Sequence, residues 1–313
     1  MSGKKSTRAA YGEALCVFGG NPSIVVLDAD LASCTMSEIF AAKYPERFFN
    51  VGIAEANMIA MAAGFAACGK ISFCHSFAMF TAGRGYDQIR NSVAYPYLNV
   101  KIIGSHAGLT VGEDGATHQC IEDLSLMRTI PGMAVLSPCD ANETREAVKA
   151  IIEYEGPCFM RTGRTALEMV TNTIPGYTFK LGKGVVLHEG TDVTIIATGL
   201  LVQEALKAAA LLVNEGIHPR IIDMHTIKPV DKEIILKAAR ETGAIVTAEE
   251  HNIVGGLGSA VCEVVSEEYP VPVIRLGVND EFGRSGDANA LLELYGMTPE
   301  NIVQKVHIAL SKK

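Results

Sequence analysis

The sequence predicts an α/β protein of two doubly wound, mainly parallel-sheet domains, and three observations carry that reading. Short apolar runs rich in β-branched residues, such as Ser23–Asp28 and Val193–Ala197, alternate with longer runs of helical period. The strand-like runs are continuously apolar, as strands covered on both faces are. Between Thr171 and Lys183 the periodicity lapses at Pro175-Gly176 and Gly182. That break divides the 313 residues into two units of ordinary domain size, residues 1–178 and 184–313.

Taken in order, Ser6 to Phe18 reads as an amphipathic helix capped by Ser6 or Thr7. Ser23–Asp28 is a short buried strand ending in the acidic turn Asp28-Ala29-Asp30. Within Asn50–Gly69, an entry turn ending at Val51-Gly52-Ile53 leads into a helix of small and apolar residues, stopped at Cys68-Gly69-Lys70 and expected to be buried nearly all round. A strand at Lys70–Cys74, a helix from about Thr81 to Ala94 and strands at Leu98–Gly104 and Met133–Ser137 follow. A helix over Asn142–Glu153 and a strand at Cys158–Arg161 close the first half. The alternation resumes with Val193–Ala197, a helix over Leu201–Asn214 and strands near Arg220 and Ile245. Helices near Ser259 and Pro299 and a strand at Pro272–Leu276 complete it.

Hydrophobic residues at 48% and charged residues at 20% fit a well-cored globule and not a disordered chain. A net charge of −8 without a basic stripe argues against nucleic acid. Met1–Arg8 is polar and leads straight into a helix, so no targeting segment is expected. Met58–Cys68 is too short to span a bilayer, and a cytoplasmic protein without membrane contact is the expectation. The eight cysteines (16, 34, 68, 74, 120, 139, 158 and 262) form no CxxC. They read as buried free thiols in a reducing compartment and not as metal ligands. Lys4-Lys5 and Lys312-Lys313 read as frayed, solvated ends.

Glu55 is the single carboxylate of its apolar segment, at the first turn of its helix. The helix N-terminus favours its charged form and desolvation its neutral form, which suits acid/base work. A Glu that merely caps its own helix is the alternative. Gly104–Gln119 is the densest polar cluster, offering His106, Glu113, Asp114, Thr117 and His118 on a loop with four glycines after an apolar strand. Open α/β sheets place ligands at such strand ends. The spacing matches no zinc site, and no phosphate-loop motif is present; a loop whose histidines satisfy nearby backbone is the alternative. Phe77 and Phe80 follow a strand end, where they serve as core or as a stacking platform for a flat heteroaromatic ring. Gly255-Gly256-Leu257-Gly258 reads as a tight turn before a helix and not as a dinucleotide site, because no acidic ribose ligand follows.

The succession GIAE, SFAMF, SHxGxxxGEDGxTHQ and SPCDANE, with Thr7-Arg8 and Asp28-Ala29-Asp30-Leu31 before it, resembles the transketolase family over nearly the whole chain. GEDGxTHQ is the most specific of these elements. The resemblance is to the second half of a full-length transketolase. It implies a thiamine diphosphate pyrimidine-binding domain followed by the family's C-terminal domain. Gly112-Glu113-Asp114-Gly115 is not the GDG motif through which that family's first domain holds Mg²⁺ and the diphosphate. The chain therefore resembles the C-terminal subunit of a split transketolase. An N-terminal partner would carry Mg²⁺ and the diphosphate site, within a cytoplasmic α2β2 heterotetramer of the pentose phosphate pathway.

By that resemblance Glu55 hydrogen-bonds the cofactor's aminopyrimidine, Phe80 and Phe77 stack on it, and Asp30 lies near it at the subunit interface. His106 and His118 contact the sugar's hydroxyls and carbonyl, and Asp114 reads a donor hydroxyl. Arg161 takes the sugar phosphate, with Arg8 beside it. Two departures stand out. Arg161-Thr162-Gly163-Arg164 replaces the family's Arg-Gln-Asn-Leu, and Cys34, next to Ser33, stands where a hydroxyl-bearing phosphate ligand is expected. Both bear on the substrate's terminal group and on which arginine faces it. Rival readings are a 1-deoxyxylulose-5-phosphate synthase relative, a 2-oxoacid dehydrogenase β subunit, and a non-catalytic transketolase-like partner.

Overall fold

A computed structural model describes residues 3–174 and 176–313. Met1, Ser2 and Pro175 lie outside the described residues, and with Pro175 one half of the Pro175-Gly176 break. Two large sheets form. The first runs, in spatial order, Thr226–Lys228, Ala134–Leu136, Cys158–Thr162, Val100–Ser105, Ile71–Phe77, Ile24–Asp28 and Phe48–Asn50. Every pairing in it is parallel except that of the edge strand Thr226–Lys228, which the second half of the chain lends to the first. The second sheet runs Val273–Val278, Ile245–Asn252, Val193–Ala197, Pro219–Asp223 and Val185–His188, antiparallel only at the last pair.

Strand alternation assigns the two faces of the first sheet. Ile24 and Val26 pack with Tyr11 and Leu15 of the helix Thr7–Phe18 and with Val148 of Ala141–Glu153. Val25 and Leu27 pack on Met58, Ile59 and Ala62 of Glu55–Ala67. That second cluster continues through Leu124 and Met127 to Ile235, Leu257 and Val261, so one core spans both halves of the chain. Ser6 caps the first helix, as predicted, by accepting from the Ala9 N–H. The helix Lys232–Thr242 is absent from the sequence reading, although Asp231 caps its start and Gly243 closes it in the left-handed conformation. Those two caps are the signal that could have found it.

Four expectations change. The helix Glu55–Ala67 starts and stops where the sequence placed it, but it is buried on one face only and not nearly all round; Asn57, Ala60, Gly64 and Ala67 are exposed. The helix expected at Thr81–Ala94 consists of π-helical segments, Phe80–Arg84 and Ile89–Ala94, around a short α turn. Half of the cysteines are not buried: Cys68 is exposed, and Cys16, Cys34 and Cys262 are partly so. Lys5 is not a frayed end, because Lys5–Ser6 pairs antiparallel with Ala166–Leu167 and Lys5 meets Glu13 at 2.6 Å. At Gly255–Gly258 the turn leads into Leu257–Glu268 as predicted, and the helix N-terminus is filled from within. Glu249 accepts from the N–H groups of Leu257 and Gly258 at 2.7 and 2.8 Å.

Candidate active site

Parallel strands bring Asp30, Phe77, His106 and Arg164 to the rim of the first sheet, because each residue lies at or just beyond a strand's carboxyl end. Asp28 fixes the first of these turns. Its buried carboxylate accepts from the Leu31 N–H, Thr35 Oγ1 and Ser37 Oγ at 2.6, 2.7 and 2.8 Å. Asp30 is exposed, in left-handed backbone, and takes a hydrogen bond from Asn50 Nδ2 at 3.0 Å.

Glu55 opens its helix, and its carboxylate does not cap it: the N-cap position is Ala54, and the side chain instead meets Arg84. Nη1 of Arg84 lies 3.0 Å from Oε1 of Glu55, which is 4% exposed. Arg84 also lies over the Phe80 ring, with Cζ 4.0 Å from the centroid. Phe77 stacks near Phe80 at 5.9 Å, and His118 meets Phe80 edge-on at 5.2 Å. Phe80, Arg84, Thr117, Gln119 and Phe282 line a cavity of about 580 Å³.

His106 stands in left-handed backbone, φ 58°, with its ring 4.3 Å from that of Phe77. Such strain in a non-glycine residue collects at functional sites. Nη1 of Arg8 lies 3.2 Å from Nε2, and Ser105 Oγ lies 2.8 Å from Nδ1. An arginine only donates, so Nε2 is the acceptor and Nδ1 carries the hydrogen. Burial, then the charges of Arg8 and Arg164, push the His106 pKa down to about 3. It is neutral at physiological pH.

The second half of the chain braces the loop Gly104–Gln119. Glu250 Oε1 accepts from the Thr110 N–H at 2.7 Å, and a Cβ on Gly108 (φ 83°) would overlap that carboxylate, so only glycine fits there. Gln119 Nε2 donates to the carbonyls of Leu109 and Arg284 at 3.0 and 2.8 Å, and Ser285 Oγ donates to the Glu113 carbonyl. Asp114 is thereby presented exposed and His118 partly so, with Thr117 Oγ1 at 2.9 Å from the latter's Nδ1.

The two arginines are placed opposite to expectation. Arg161 is 6% exposed, and its Nε lies 3.0 Å from the buried carboxylate of Asp123. Its Nη groups donate to the Glu250 carbonyl at 3.2 and 3.3 Å and to the Cys120 carbonyl at 3.4 Å. Those contacts tie the guanidinium into the fold, where it borders a small cavity with Thr7, Thr162 and Glu250. Arg164 is exposed; it donates to the Val111 carbonyl at 2.9 Å and approaches Glu113 at 3.6 Å. Its strand ends at Thr162, so the alternation that would turn Arg164 away does not reach it. Arg8 donates to the Cys34 carbonyl at 2.8 Å, and its Nε is buried without a partner. Arg164 is near enough to contribute to lowering the pKa of Arg8 below the arginine range, after burial.

Comparison with known proteins sorts these features. Residues 3–169 match the family description "Transketolase, pyrimidine binding domain", and residues 182–302 match "Transketolase, C-terminal domain". The chain belongs to the transketolase family. It is 49% identical over 311 residues to a putative transketolase C-terminal section of Methanocaldococcus jannaschii, covering 99% of this chain and 98% of that one. It is 46% identical over 290 residues to a 6-deoxy-6-sulfo-D-fructose transketolase subunit of a Clostridium species, covering 93% of this chain and 89% of that one. A solved structure described as a split gene transketolase, inactive beta4 tetramer, superposes with a TM-score of 0.90 at 52% identity, covering 99% of this chain and all of that one.

The transketolase family is thiamine diphosphate-dependent, and the residues present fit the pyrimidine half of that cofactor. Glu55 is a buried acceptor on the rim of the aromatic cluster, and beside it Phe80 has a flat face that the Arg84 guanidinium covers. Sequence reasoning missed Arg84 and Gln119. The first carries a signal, because a residue four after Phe80 on a helix shares its face. The carbonyl of Arg284, which Gln119 meets, lies 165 residues away and leaves no local trace. Among the described residues no helix is long and apolar enough to cross a membrane.

Proposed function

We propose that this chain is the substrate-facing subunit of a two-subunit transketolase. It would move a two-carbon ketol unit from a ketose to an aldose that ends in an anionic group. Glu55 carries this reading: a buried carboxylate beside Phe80 at the end of a parallel sheet has little structural use there, since it does not cap its helix. Thiamine diphosphate, when bound, supplies the nucleophilic carbon that carries the two-carbon unit.

Glu55 holds a proton at the pyrimidine ring nitrogen, and Phe80, backed by Phe77, orients the ring; Asp30 flanks it at the interface. Asp114 and His118 hold the sugar's hydroxyls. His118 keeps Nε2 for this task because Thr117 engages its Nδ1. Neutral His106 acts by position and hydrogen bonding and not as a cation. Arg8 and Arg164, which carry more positive charge than Glu113 alone balances, take the terminal phosphate or sulfonate. Mg²⁺ and the diphosphate belong to a partner subunit. The exposed small-residue face of Glu55–Ala67 suits self-association within an α2β2 assembly.

The deciding experiment is reconstitution. The purified chain alone is expected to be folded and inactive in ketol transfer, and addition of the complementary subunit to restore turnover. Glu55→Gln in the assembled enzyme should lose about tenfold or more in kcat, since a charge-assisted bond exceeds a neutral one by roughly 1–2 kcal/mol. Thiamine-dependent turnover by the chain alone, with partner excluded by mass spectrometry, would sink the split-subunit assignment.

A further inference from the structure

We propose that Arg84 is a placeholder for the cofactor's pyrimidine ring: its guanidinium fills the ring's position until the ring displaces it. The proposal rests on the thiamine-binding reading above and assigns a role to a residue that reading leaves unused.

Arg84 touches both groups that the ring must touch. Its Nη1 lies 3.0 Å from Oε1 of Glu55, and its Cζ lies 4.0 Å above the centroid of Phe80. A flat ring stacked on Phe80 and bonded to Glu55 falls in the same volume. The rest of the Phe80 ring is already spoken for. Phe77 stacks against it at 5.9 Å with an interplanar angle of 17°, and His118 abuts it edge-on at 72°. The chemistry matches as well. A guanidinium is planar, donates N–H hydrogen bonds and stacks on aromatic faces, as an aminopyrimidine protonated at its ring nitrogen does.

A buried carboxylate in an apolar helix needs a donor whenever the ring is absent, and Arg84 supplies it. Arg84 follows Phe80 by four residues on the π-helical segment Phe80–Arg84, so the two side chains share a face. Such segments occur frequently at functional sites. Arg84 can also leave. Its side chain is 53% exposed and forms part of the wall of the 580 Å³ cavity, so a rotation returns the guanidinium to water. Ring and guanidinium therefore exclude one another. The apparent affinity for the ring falls by the fraction of molecules in which Arg84 is in place.

The test titrates the full chain with thiamine, and the assembled enzyme with thiamine diphosphate, by calorimetry, with melting of the unliganded chain in parallel. Arg84→Ala should bind about five- to tenfold more tightly than wild type and melt lower without ligand, because the competitor and the partner of Glu55 are both gone. Arg84→Lys should fall between them, since an ammonium keeps the charge and loses the flat face. Equal or weaker binding by Arg84→Ala, with wild type binding normally, would overturn the placeholder and leave the cofactor site standing. Absence of binding by wild type and Arg84→Ala alike would remove the pyrimidine site itself, and the placeholder with it.

Discussion

Arg161 and Arg164 are three residues apart, and the structure gives them opposite predicted phenotypes. Arg161→Ala would strip the buried carboxylate of Asp123 of its cation and free the carbonyls of Glu250 and Cys120. Breaking a buried pair by removing one partner costs about 3–5 kcal/mol, which corresponds to a fall in melting temperature on the order of 10 °C. Burial already raises the Asp123 pKa, and Arg161 is the strongest of the groups that restrain the rise. Without Arg161, the folded pKa stands further above the unfolded value near 3.8. The part of the cost that comes from the bare Asp123 carboxylate is then absent below about pH 4, where both states are protonated, and grows as the pH rises; the part from the freed carbonyls does not change with pH. Arg161→Ala should accordingly melt closer to wild type at pH 4.5 than at pH 8.

Arg164→Ala should leave melting within about 0.5 kcal/mol of wild type, because the side chain is 43% exposed and its ion pair is a surface one. Charge-assisted bonds to an anionic group contribute about 1.5–3 kcal/mol each, so kcat/KM for a sugar phosphate should drop by roughly 10–100-fold. The unphosphorylated sugar should be barely affected. The assay pairs melting curves with kcat/KM ratios for matched phosphorylated and unphosphorylated substrates in the assembled enzyme. A selective loss of phosphate preference in Arg161→Ala, with Arg164→Ala behaving as wild type, would refute the placement of both arginines.

Two further outcomes follow from buried groups. NMR of the His106 ring should show no titration between pH 5 and 8, and Arg164→Gln should raise its pKa from about 3, since a neighbouring positive charge is removed; a wild-type midpoint near 6.5 would contradict the burial and charge environment described. Asp223, enclosed with Glu143, Asp140, Cys139 and Tyr177, has its pKa driven well above the carboxyl range by burial and then by Glu143. An acid whose folded pKa is raised loses stability as pH climbs past its unfolded value. Asp223→Asn should therefore flatten the decline in melting temperature between pH 4 and 8, and an unchanged slope would remove Asp223 from that role.

The alternation of apolar strands with helices determined the parallel architecture from sequence alone, because strands buried on both faces need continuous hydrophobic runs and helices to cover them. Local chemistry also placed Glu55 at a helix start, and Phe80, His106 and His118 beyond strand ends, since spacing along one element is short-range information. Contacts between distant segments decided the rest. Arg161 is held by Asp123 and by the Glu250 carbonyl 89 residues away, and no local pattern tells a guanidinium which of two such directions it will take. Arg164 reaches the loop because its strand stops at Thr162, a length set by pairing with Val100–Ser105 and not by its own residues. The second half of the chain holds the Gly104–Gln119 loop through Glu250, Arg284 and Ser285, and it supplies the edge strand Thr226–Lys228. A hydrogen bond's energy depends on where its partner lies in space, so these arrangements exist only once both sheets are packed together.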